Sequence, residues 1–529
     1  METIYFILIA LYGAFILFIF LYSLIQANLV INYWKAKRDE RIKIKDERKP
    51  IQGSADSKDT FSSQNSALHI PVVTIQLPVF NEKYVVERLI DCIIKFEYPI
   101  DKLEIQILDD STDNTIEIIA NKVVEVRKKG FDIVHIIRTI RHGYKAGALA
   151  AATPLAKGKY IAIFDADFLP KKDFLTQTIP HFKDDKIGAV QTRWGHLNNE
   201  YSVLTSLQAF GLDAHFTVEQ KGRNFAGYFI NFNGTAGIWR KSCILAAGGW
   251  ESDTLTEDLD LSYRAQLKGW KFKYLEEVES PAELPATMNA LKTQQFRWSK
   301  GAAECARKNL RSVMQSNNIN GSIKLHAIFH LMNSFLFICI LSLAVLSVPI
   351  LIAENNLPVQ QYIFKFGSFF SISLVILSLF YWASYNTKFK NKLIVFLFFV
   401  VKFPLFLSIS MGLSLHNAIG VAEGYFGKKT PFVRTPKFNI ISNDDKWKGN
   451  QYITNAISPL TIIEGGLILY FFYGLYLSFS YGDYGLMPFY VMLIIGFGTV
   501  FYYSIYHSLC ILKSKKQLQL AEKTNLTVK

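Results

Sequence analysis

The sequence predicts a soluble α/β domain between two groups of membrane-spanning helices. Long apolar runs are confined to the two ends of the 529-residue chain, in which 50% of the residues are hydrophobic and only 19% are charged. Between these ends, from residue 70 to residue 310, short β-rich runs alternate with helix-like segments. That alternation is typical of a mostly parallel sheet covered by helices.

Charge and cysteine content narrow the classes of function. Lys and Arg number 58 against 44 Asp and Glu, a net charge of +14. A basic excess suits an anionic membrane face, an anionic substrate or nucleic acid. The large apolar content favours the lipid bilayer, and we expect no nucleic-acid partner. The five cysteines form no CxxC pair, which argues against a zinc site and gives no sign of a disulfide framework.

The sequence of the N-terminal region predicts a membrane anchor followed by a polar linker. Residues 3–31 are nearly uncharged, and the basic stretch Lys35–Lys49 comes after them, whereas Glu2 comes before. A cleavable signal peptide carries its positive charge in front of the apolar run. We therefore expect an uncleaved transmembrane anchor over 3–31, with a basic flank and polar linker over 32–69 on the inner side.

Five β-rich runs mark the predicted sheet of the domain at residues 70–310. They are Val72–Leu77, Leu103–Leu108, Ile133–Ile137, Tyr160–Phe164 and Gly188–Thr192. Open α/β sheets bind ligands at the carboxyl ends of their strands. The residues that follow these runs are therefore the first candidates for a functional site.

The C-terminal region predicts further membrane helices. Two are expected within 325–383 and two within 459–512, each long enough to span about 30 Å of hydrocarbon. The run 393–416 is interrupted by Lys402 and Pro404. If it crossed the membrane, the basic segment 427–448 and the tail 513–529 would lie outside, against the positive-inside rule. We favour five spans, an interfacial segment within 393–450, and a cytosolic domain at a plasma or inner membrane, over six spans.

Acidic residues follow two of the predicted strands. Asp109 and Asp110 end the second run, where they could equally cap a helix. Asp165 and Asp167 follow the fourth run and, being two residues apart in an extended chain, can face one cation. Paired carboxylates of this kind suit Mg²⁺ or Mn²⁺ holding a diphosphate, although a lone pair at this spacing is common.

Two later stretches place polar groups at helices. Glu257 and Asp258 open a helix-like segment, where acidic residues ordinarily complement the helix dipole. Gln294, Arg297 and Trp298 share one helix face. They suit a sugar hydroxyl, a phosphate and a sugar ring, or alternatively an amphipathic helix lying on the membrane.

Two glycine-containing segments complete the candidate set. The segment Arg141–Leu149 places Lys145 near backbone amides that could contact phosphate, but it could also be an ordinary loop-to-helix junction. The segment Phe232–Gly237 permits close approach of the backbone at a pocket wall.

Taken in order, these motifs resemble those of the processive family-two glycosyltransferases, which include the cellulose, chitin and hyaluronan synthases. The series is Asp109/Asp110, Asp165-x-Asp167, Thr256-Glu257-Asp258 and Gln294-x-x-Arg297-Trp298. The stretches GYKAGAL (143–149), FNGTAG (232–237) and QQFRW (294–298) are most similar to the cellulose-synthase-like mannan and glucan synthases. The resemblance covers residues 72–310. Phe432–Lys437 resembles the gating loop of cellulose synthases, with Arg434 at the position where that pattern has valine.

The resemblance implies a fold, an activity and a set of ligands. The fold is a Rossmann-like, nucleotide-sugar-binding domain with the mixed sheet of the GT-A type. The activity is metal-dependent inverting transfer of a hexosyl unit, with Mg²⁺ or Mn²⁺, from a donor such as UDP-glucose or GDP-mannose to a β-linked polysaccharide that is exported as it grows. The alternative is transfer of a single sugar to a lipid, as in ceramide glucosyltransferases.

The resemblance also implies roles for individual residues. Asp258 is the expected catalytic base, and Asp165 and Asp167 are the expected metal ligands. The expected donor-binding residues are Asn81, Glu82, Asp109, Asp110, Lys145, Asp165, Gln294 and Arg297. The expected acceptor-binding residues are Trp298, Phe232, Gly234, Thr235 and Glu257.

Overall fold

A computed structural model describes residues 2–47, 70–356, 360–387, 391–441, 445, 452 and 458–527. Its centre is one seven-stranded sheet with the strand order β3-β2-β1-β4-β6-β5-β7. The α/β class predicted for the domain is confirmed. The predicted polar linker at 52–67 lies outside the described residues.

The strands comprise the five predicted runs and two more. They are β1 (Val73–Val79), β2 (Leu103–Asp109), β3 (Asp132–Ile137), β4 (Tyr160–Ile163), β5 (Ile187–His196), β6 (Gly237–Arg240) and β7 (Lys271–Ala282). Sequence patterns do not reveal β6, because it has only four residues and begins at a glycine. Strand β7 carries several charged residues and a proline, so its apolar alternation is weak.

The sheet is mixed because one short strand runs against the others. Strands β1, β2, β3 and β4 are mutually parallel, with Val79 opposite Asp109 at the carboxyl end of the β1–β2 pair. Strand β6 is antiparallel to both β4 and β5, and β7 is parallel to β5. The carboxyl ends of β1, β2 and β4 therefore meet at one edge of the sheet, where the acidic motifs follow them.

Helices cover both faces of this sheet. They are α2 (Val86–Ile93), α3 (Thr115–Lys128), α4 (Tyr144–Ala152), α5 (Phe174–Thr178), α6 (Val203–Ala214), α7 (Lys221–Phe225), α8 (Lys241–Ala246) and α9 (Glu257–Leu267). One buried core lies between the sheet and α2, α3 and α5, and includes Ile75, Leu89 and Ile119. The other lies on the α4, α8 and α9 side, and includes Leu149, Trp239 and Leu261.

The remaining helices are long and mostly apolar. They are α1 (Glu2–Glu47), α10 (Met288–Gln315), α11 (Gly321–Leu331), α12 (Phe335–Asn356), α13 (Gln360–Tyr385), α14 (Lys392–Gly412), α15 (Ser414–Tyr425), α16 (Pro459–Tyr481) and α17 (Met487–Thr527). Among the described residues, parts of α1, α12, α14, α16 and α17 are long and apolar enough to cross a membrane, and the described apolar part of α13 is shorter.

Helix α14 corresponds to the segment that we predict to be interfacial. By length and composition it also qualifies as a span. Its central Lys402, however, donates a hydrogen bond of 2.8 Å to Ser206 in α6 of the soluble domain. Interfacial placement therefore remains a prediction, and the contact with the domain is one observation in its favour.

Further contacts attach the domain to the long helices. Helix α1 continues through its basic flank to Glu47, and Lys37 forms an ion pair of 2.9 Å with Glu276 in β7. Helix α10 packs against the loop before α9, since a Cβ atom on Gly301 would lie 2.5 Å from the side chain of Thr256. Together with the Lys402–Ser206 hydrogen bond, these contacts fix the orientation of the domain relative to the apolar helices.

Candidate active site

A pocket of about 200 Å³ opens at the sheet edge where β1, β2 and β4 end. It brings together most of the residues expected from the sequence. Those that line it are Glu82, Asp110, Lys145, Asp165, Asp167, Gly234, Glu257, Asp258, Gln294, Arg297 and Trp298. Motifs separated by more than 200 residues therefore form one site.

One wall of the pocket is held by arginines from the loop after β3. Arg138 donates from Nε to Asp110 Oδ1 at 2.9 Å, and its NH2 group donates to the other carboxylate oxygen. The Arg141 guanidinium lies 3.3 Å from the centre of the Phe80 ring. This wall offers the Phe80 ring, the Asp110 carboxylate and the Arg141 cation to an anionic ligand that carries a planar group.

The first carboxylate after β4 is fixed by a lysine and a threonine. Lys145 Nζ lies 2.5 Å from Asp165 Oδ1 and donates to the Gly234 carbonyl oxygen at 2.9 Å. The backbone N–H of Asp165 donates to Thr235 Oγ1 at 2.9 Å. Burial favours the neutral amine, but the Asp165 carboxylate, with help from Glu257 and Asp258, outweighs it and raises the pKa of Lys145. Lys145 is therefore a cation at the pocket floor.

The second carboxylate after β4 is paired with a lysine from a distant segment. Lys437 Nζ lies 2.6 Å from Asp167 Oδ2, and both side chains are largely buried. These lysine contacts involve Oδ1 of Asp165 and Oδ2 of Asp167, one oxygen of each carboxylate. Oxygen ligands of this type fit Mg²⁺ or Mn²⁺, and a cation bound there would compete with Lys437 for Asp167.

A second acidic cluster lies outside the pocket. Among the described residues, Glu251, Asp253 and Asp260 form the one group of three potential ligands close enough to share an ion. Lys308 Nζ lies 2.6, 2.7 and 3.0 Å from their carboxylate oxygens. An ammonium group therefore balances this cluster, which lies outside the pocket, whereas Asp165 and Asp167 line it and are the candidates for a metal that contacts a substrate there.

The expected base, Asp258, lies in the first turn of α9. It lies beside Gly234, whose lack of a side chain lets the backbone of the opposite wall come close to the carboxyl group. A Cβ atom on Gly234, which has φ of +79°, would lie 3.1 Å from Asp258 Oδ2. Burial raises the pKa of Asp258 to about 7, and the charge of neighbouring Glu257 acts in the same direction. Burial likewise raises the pKa of Glu257. A carboxyl group that titrates near neutral pH is suited to accept a proton.

Helix α10 supplies the opposite wall of the pocket. Its residues Gln294, Arg297 and Trp298 line the pocket from one face, as their spacing predicts. The Trp298 ring lies 6.4 Å from the ring of Trp194 on β5. The two indoles form an aromatic wall against which a sugar ring could pack.

The segment 432–437, which we compare with a gating loop, lies across the pocket. Arg434 NH1 lies 2.8 Å from Glu82 Oε2 and donates to the Phe80 carbonyl oxygen at 3.0 Å. The Arg297 guanidinium lies 4.5 Å from the centre of the Phe432 ring. Burial raises the pKa of Glu82 to about 8, against the opposing charges of Arg434 and Lys437. The segment therefore contacts both the end of β1 and helix α10.

Four predicted residues do not line the pocket. Asp109 is buried and accepts hydrogen bonds from Ser111 N and His135 Nε2. Asn81 accepts from Thr112 N, and Phe232 is fully buried against Trp239. Thr235 positions Asp165, as described above. These four side chains lie outside the pocket lining, and their roles in binding a ligand remain predictions.

Several lining residues were missed by the sequence analysis. They are Trp194, His196, Leu212, Asn233 and Glu283. Arg138, which supports Asp110 from behind, was also missed. Trp194 and Asn233 adjoin recognised stretches and could have been suspected as a sugar-sized aromatic and an amide. Glu283 accepts from the backbone N–H groups of Phe438 and Asn439 at 2.8 and 2.9 Å, a tertiary contact with no local signal.

Comparison with known proteins identifies this region. Residues 71–301 match the family model described as glycosyltransferase like family 2. Glucomannan 4-beta-mannosyltransferase 9 of Arabidopsis thaliana is 39% identical over 335 residues, 60% of each chain. Glucomannan 4-beta-mannosyltransferase 1 of Oryza sativa subsp. japonica is 41% identical over 293 residues, 53% of this chain and 56% of the rice protein. The chain therefore spans about 60% of the length of the first of these relatives.

A solved structure gives a more distant likeness. The mannosyltransferase PcManGT from Pyrobaculum calidifontis, in complex with GDP-Man and Mn²⁺, superposes with a TM-score of 0.48 and 18% identity, covering 80% of this chain and all of that one. The family match and the plant relatives confirm the resemblance inferred from the motifs: residues 71–301 are similar to the family-two glycosyltransferases, and these relatives are cellulose-synthase-like glucomannan 4-beta-mannosyltransferases.

Proposed function

We propose that this chain is a membrane-embedded glycosyltransferase that transfers hexosyl units from a nucleotide sugar to a growing β-linked polysaccharide of the mannan or glucan type. One observation carries the proposal. A single pocket joins a carboxylate pair for a metal, a buried carboxyl with a pKa near 7, and an aromatic wall on helix α10. The names of the plant relatives, which are glucomannan 4-beta-mannosyltransferases, support a mannosyl or glucosyl donor.

The donor would lie between the carboxyl ends of β1, β2 and β4. The nucleoside would occupy the wall formed by Phe80, Glu82 and Asp110, and Lys145 and Arg297 would hold the diphosphate as cations. Asp165 and Asp167 would hold the divalent ion, which when bound stabilises the negative charge that develops on the leaving diphosphate. Nucleotides with uracil and with guanine both remain compatible with this wall.

Asp258 would act as the general base. The acceptor hydroxyl oxygen forms a bond to the anomeric carbon as the bond from that carbon to the diphosphate oxygen breaks. The hydroxyl proton passes to the Asp258 carboxylate. One displacement of this kind inverts the anomeric carbon, so an α-linked donor gives a β-linked product. Glu257, beside it, would keep the local charge that raises the pKa of Asp258.

The acceptor would enter from the membrane side of the pocket. Trp194 and Trp298 would pack against its terminal sugar, and helix α10 would connect this wall to the apolar helices. A polymer that leaves the pocket there would pass directly into the helical region. We therefore propose that export is coupled to synthesis, with the segment 432–437 covering the pocket from the other side.

A donor screen with full-length protein in detergent tests the proposal. GDP-mannose and UDP-glucose are supplied separately with Mn²⁺ or Mg²⁺, and the product is analysed for linkage and length. The expected product is a β-linked polymer from at least one donor, absent in an Asp258→Asn variant. A single sugar attached to co-purified lipid would contradict polysaccharide synthesis and support the lipid-acceptor alternative.

A further inference from the structure

A chain of polar side chains behind the pocket ends at Asn233, a lining residue to which the motif analysis gives no role. Directly after α6 the backbone makes a π-helical turn at His215–Gln220. Such turns often occur at functional sites, because the extra residue redirects side chains. Here the turn places His215, Glu219 and Gln220 beside the segment Asn231–Asn233.

A hydrogen bond to a backbone carbonyl fixes the orientation of the first side-chain amide in this polar series, and the orientations of the other two amides follow from it. Gln220 Nε2 lies 3.0 Å from the Asn231 carbonyl oxygen, which can only accept, so the nitrogen of Gln220 must face it. The same nitrogen donates to Asn231 Oδ1 at 3.2 Å. Asn231 Nδ2 is thereby directed to Asn233 Oδ1, at 2.6 Å. Turning any one of these amides around would place two donors or two acceptors in contact.

The fixed amides also determine the hydrogen bonds of His215. Its Nε2 atom lies 3.3 Å from Asn233 Oδ1, which is an acceptor, so Nε2 donates to it. Its Nδ1 atom lies 2.9 Å from Glu219 Oε2, and the other oxygen of that carboxylate accepts from Arg223 Nε at 3.0 Å. Burial alone would raise the pKa of Glu219, but Arg223 and His215 hold it below its usual range. His215 thus bridges Asn233 Oδ1 and the Glu219 carboxylate.

This arrangement leaves one strong donor unused. Asn233 Nδ2 is buried and has no hydrogen-bond partner among the described residues. The residue is held in place by its own backbone N–H, which donates to Gln191 Oε1 at 2.9 Å. Asn233 lines the pocket next to Gly234, the residue that closely approaches Asp258. A buried donor without a partner is destabilising unless a ligand supplies an acceptor.

We propose that Asn233 binds a sugar hydroxyl at the transfer centre through Nδ2, and that His215 is the positioning residue which keeps this amide nitrogen available by holding Oδ1. The inference rests on the proposed function, since it assigns the ligand of the same pocket. The hydroxyl belongs either to the donor sugar or to the terminal sugar of the acceptor. The chemistry is the same in both cases, and the experiment separates them.

The test titrates binding directly to purified full-length protein in detergent, so it does not depend on turnover. Nucleotide sugars (GDP-mannose and UDP-glucose, with Mn²⁺) and a β-linked mannan or glucan oligosaccharide are titrated by calorimetry. The wild type is compared with Asn233→Ala, His215→Phe and the double variant. His181→Phe, on a histidine outside the pocket lining, is the matched control. Absence of polymer synthesis by the wild type would contradict the proposed function alone.

Asn233→Ala should raise the Kd of one ligand about tenfold and leave that of the other unchanged, as expected for one lost hydrogen bond. A change for the nucleotide sugar assigns the hydroxyl to the donor, and a change for the oligosaccharide assigns it to the acceptor. No change in either Kd would overturn the role of Asn233.

His215→Phe should raise the Kd of the same ligand, with no further rise in the double variant, because both changes remove one interaction. Additive effects, or a shift in the other ligand, would overturn the positioning role. Should His215→Phe lower the unfolding temperature, His215→Gln retains a donor for Asn233 Oδ1 and should restore most of the affinity. Failure of this variant to restore it, in protein with a normal unfolding temperature, would equally count against His215.

Discussion

At the scale of single residues, the transfer step depends most on Asp258. Replacing it with asparagine keeps the shape of the side chain but removes its ability to accept a proton. We expect kcat to fall by roughly 10²–10⁴-fold, the usual contribution of a general base. The Kd of the nucleotide sugar should stay near that of the wild type. Single-turnover rates and donor titrations with Asp258→Asn measure both quantities. Near-normal turnover in Asp258→Asn would assign the base to another residue.

The raised pKa of Asp258 predicts a pH profile. Because burial raises this pKa to about 7, the carboxyl group keeps its proton at lower pH and cannot act as a base there. The rate should therefore rise with pH through about 7 and level off above it. The profile of kcat/KM between pH 5 and 9 tests this expectation. A rate that is already maximal at pH 5 would show that ionisation of Asp258 does not limit catalysis.

The metal prediction concerns Asp167 and its lysine partner. Chelation with excess EDTA should abolish transfer, and added Mn²⁺ or Mg²⁺ should restore it. Asp167→Asn should weaken Mn²⁺ binding, as measured by electron paramagnetic resonance, because it removes a charged ligand. Asp101→Asn is a suitable control, since the Asp101 side chain is 72% exposed and does not line the pocket. Synthesis that persists in EDTA would remove both carboxylates after β4 from the metal role.

At the scale of elements, helix α10 is coupled to a membrane helix by a buried ion pair. Lys292 Nζ lies 2.7 and 2.8 Å from the two carboxylate oxygens of Glu464 in α16, and the side chains are 7% and 0% exposed. Lys292 precedes Gln294 by two residues, so this pair helps to fix the wall formed by α10. Breaking a buried pair leaves one uncompensated charge, at a cost of about 3–5 kcal/mol.

Glu464→Gln should therefore lower the unfolding temperature in detergent and reduce transfer. Lys292→Met combined with Glu464→Leu should recover most of the thermal stability, because no unpaired charge remains. Thermal unfolding followed by intrinsic fluorescence measures both variants. Equal destabilisation by the single and double changes would mean that packing, and not charge pairing, gives this contact its strength.

Among the strands and the contacts between elements, some can be predicted from the sequence and others cannot. Strands β1 to β5 follow from local β-rich runs, and the acidic motifs follow from the position of those strand ends. Strand β6 cannot be predicted, since its four residues are stabilised by pairing on both sides rather than by their own propensity. The pairing of Lys437 with Asp167 spans 270 residues. Contacts of that kind arise from the tertiary fold and leave no pattern in the sequence.

At the scale of the whole molecule, the position of the segment 428–437 constrains the membrane topology. Lys300, fully buried in α10, donates to the Lys428 carbonyl oxygen at 2.7 Å and contacts Glu423 at 3.0 Å. Further along, Arg434 and Lys437 reach Glu82 and Asp167 in the soluble domain. The segment therefore lies on the same side of the membrane as that domain, and an even number of crossings must separate them.

We expect helices α12 and α13 to supply two crossings, in which case α14 should not complete a third. Its Lys402 contacts Ser206 of the domain, which is consistent with a helix that enters the interface without crossing. A lysine at the bilayer centre would cost several kcal/mol, whereas an interfacial lysine can reach the headgroups. The loop between α16 and α17, which contains Asp483 and Tyr484, should then face outward, and the tail after residue 512 should face inward.

This topology can be tested with cysteines introduced one at a time into a variant of the protein that lacks its five native cysteines, expressed in cells. A cysteine at Lys428 should resist a membrane-impermeant thiol reagent in intact cells and react once the membrane is opened, because that side chain is exposed on the inner side. A cysteine at Tyr484, which is 60% exposed, should react in intact cells and is the matched control. A further cysteine at Lys515 should behave like the one at Lys428. Labelling at Lys428 from outside would exclude an even number of crossings between the domain and the segment 428–437. It would also exclude the placement of 432–437 over a cytosolic pocket, because the ion pairs with Glu82 and Asp167 could not then form.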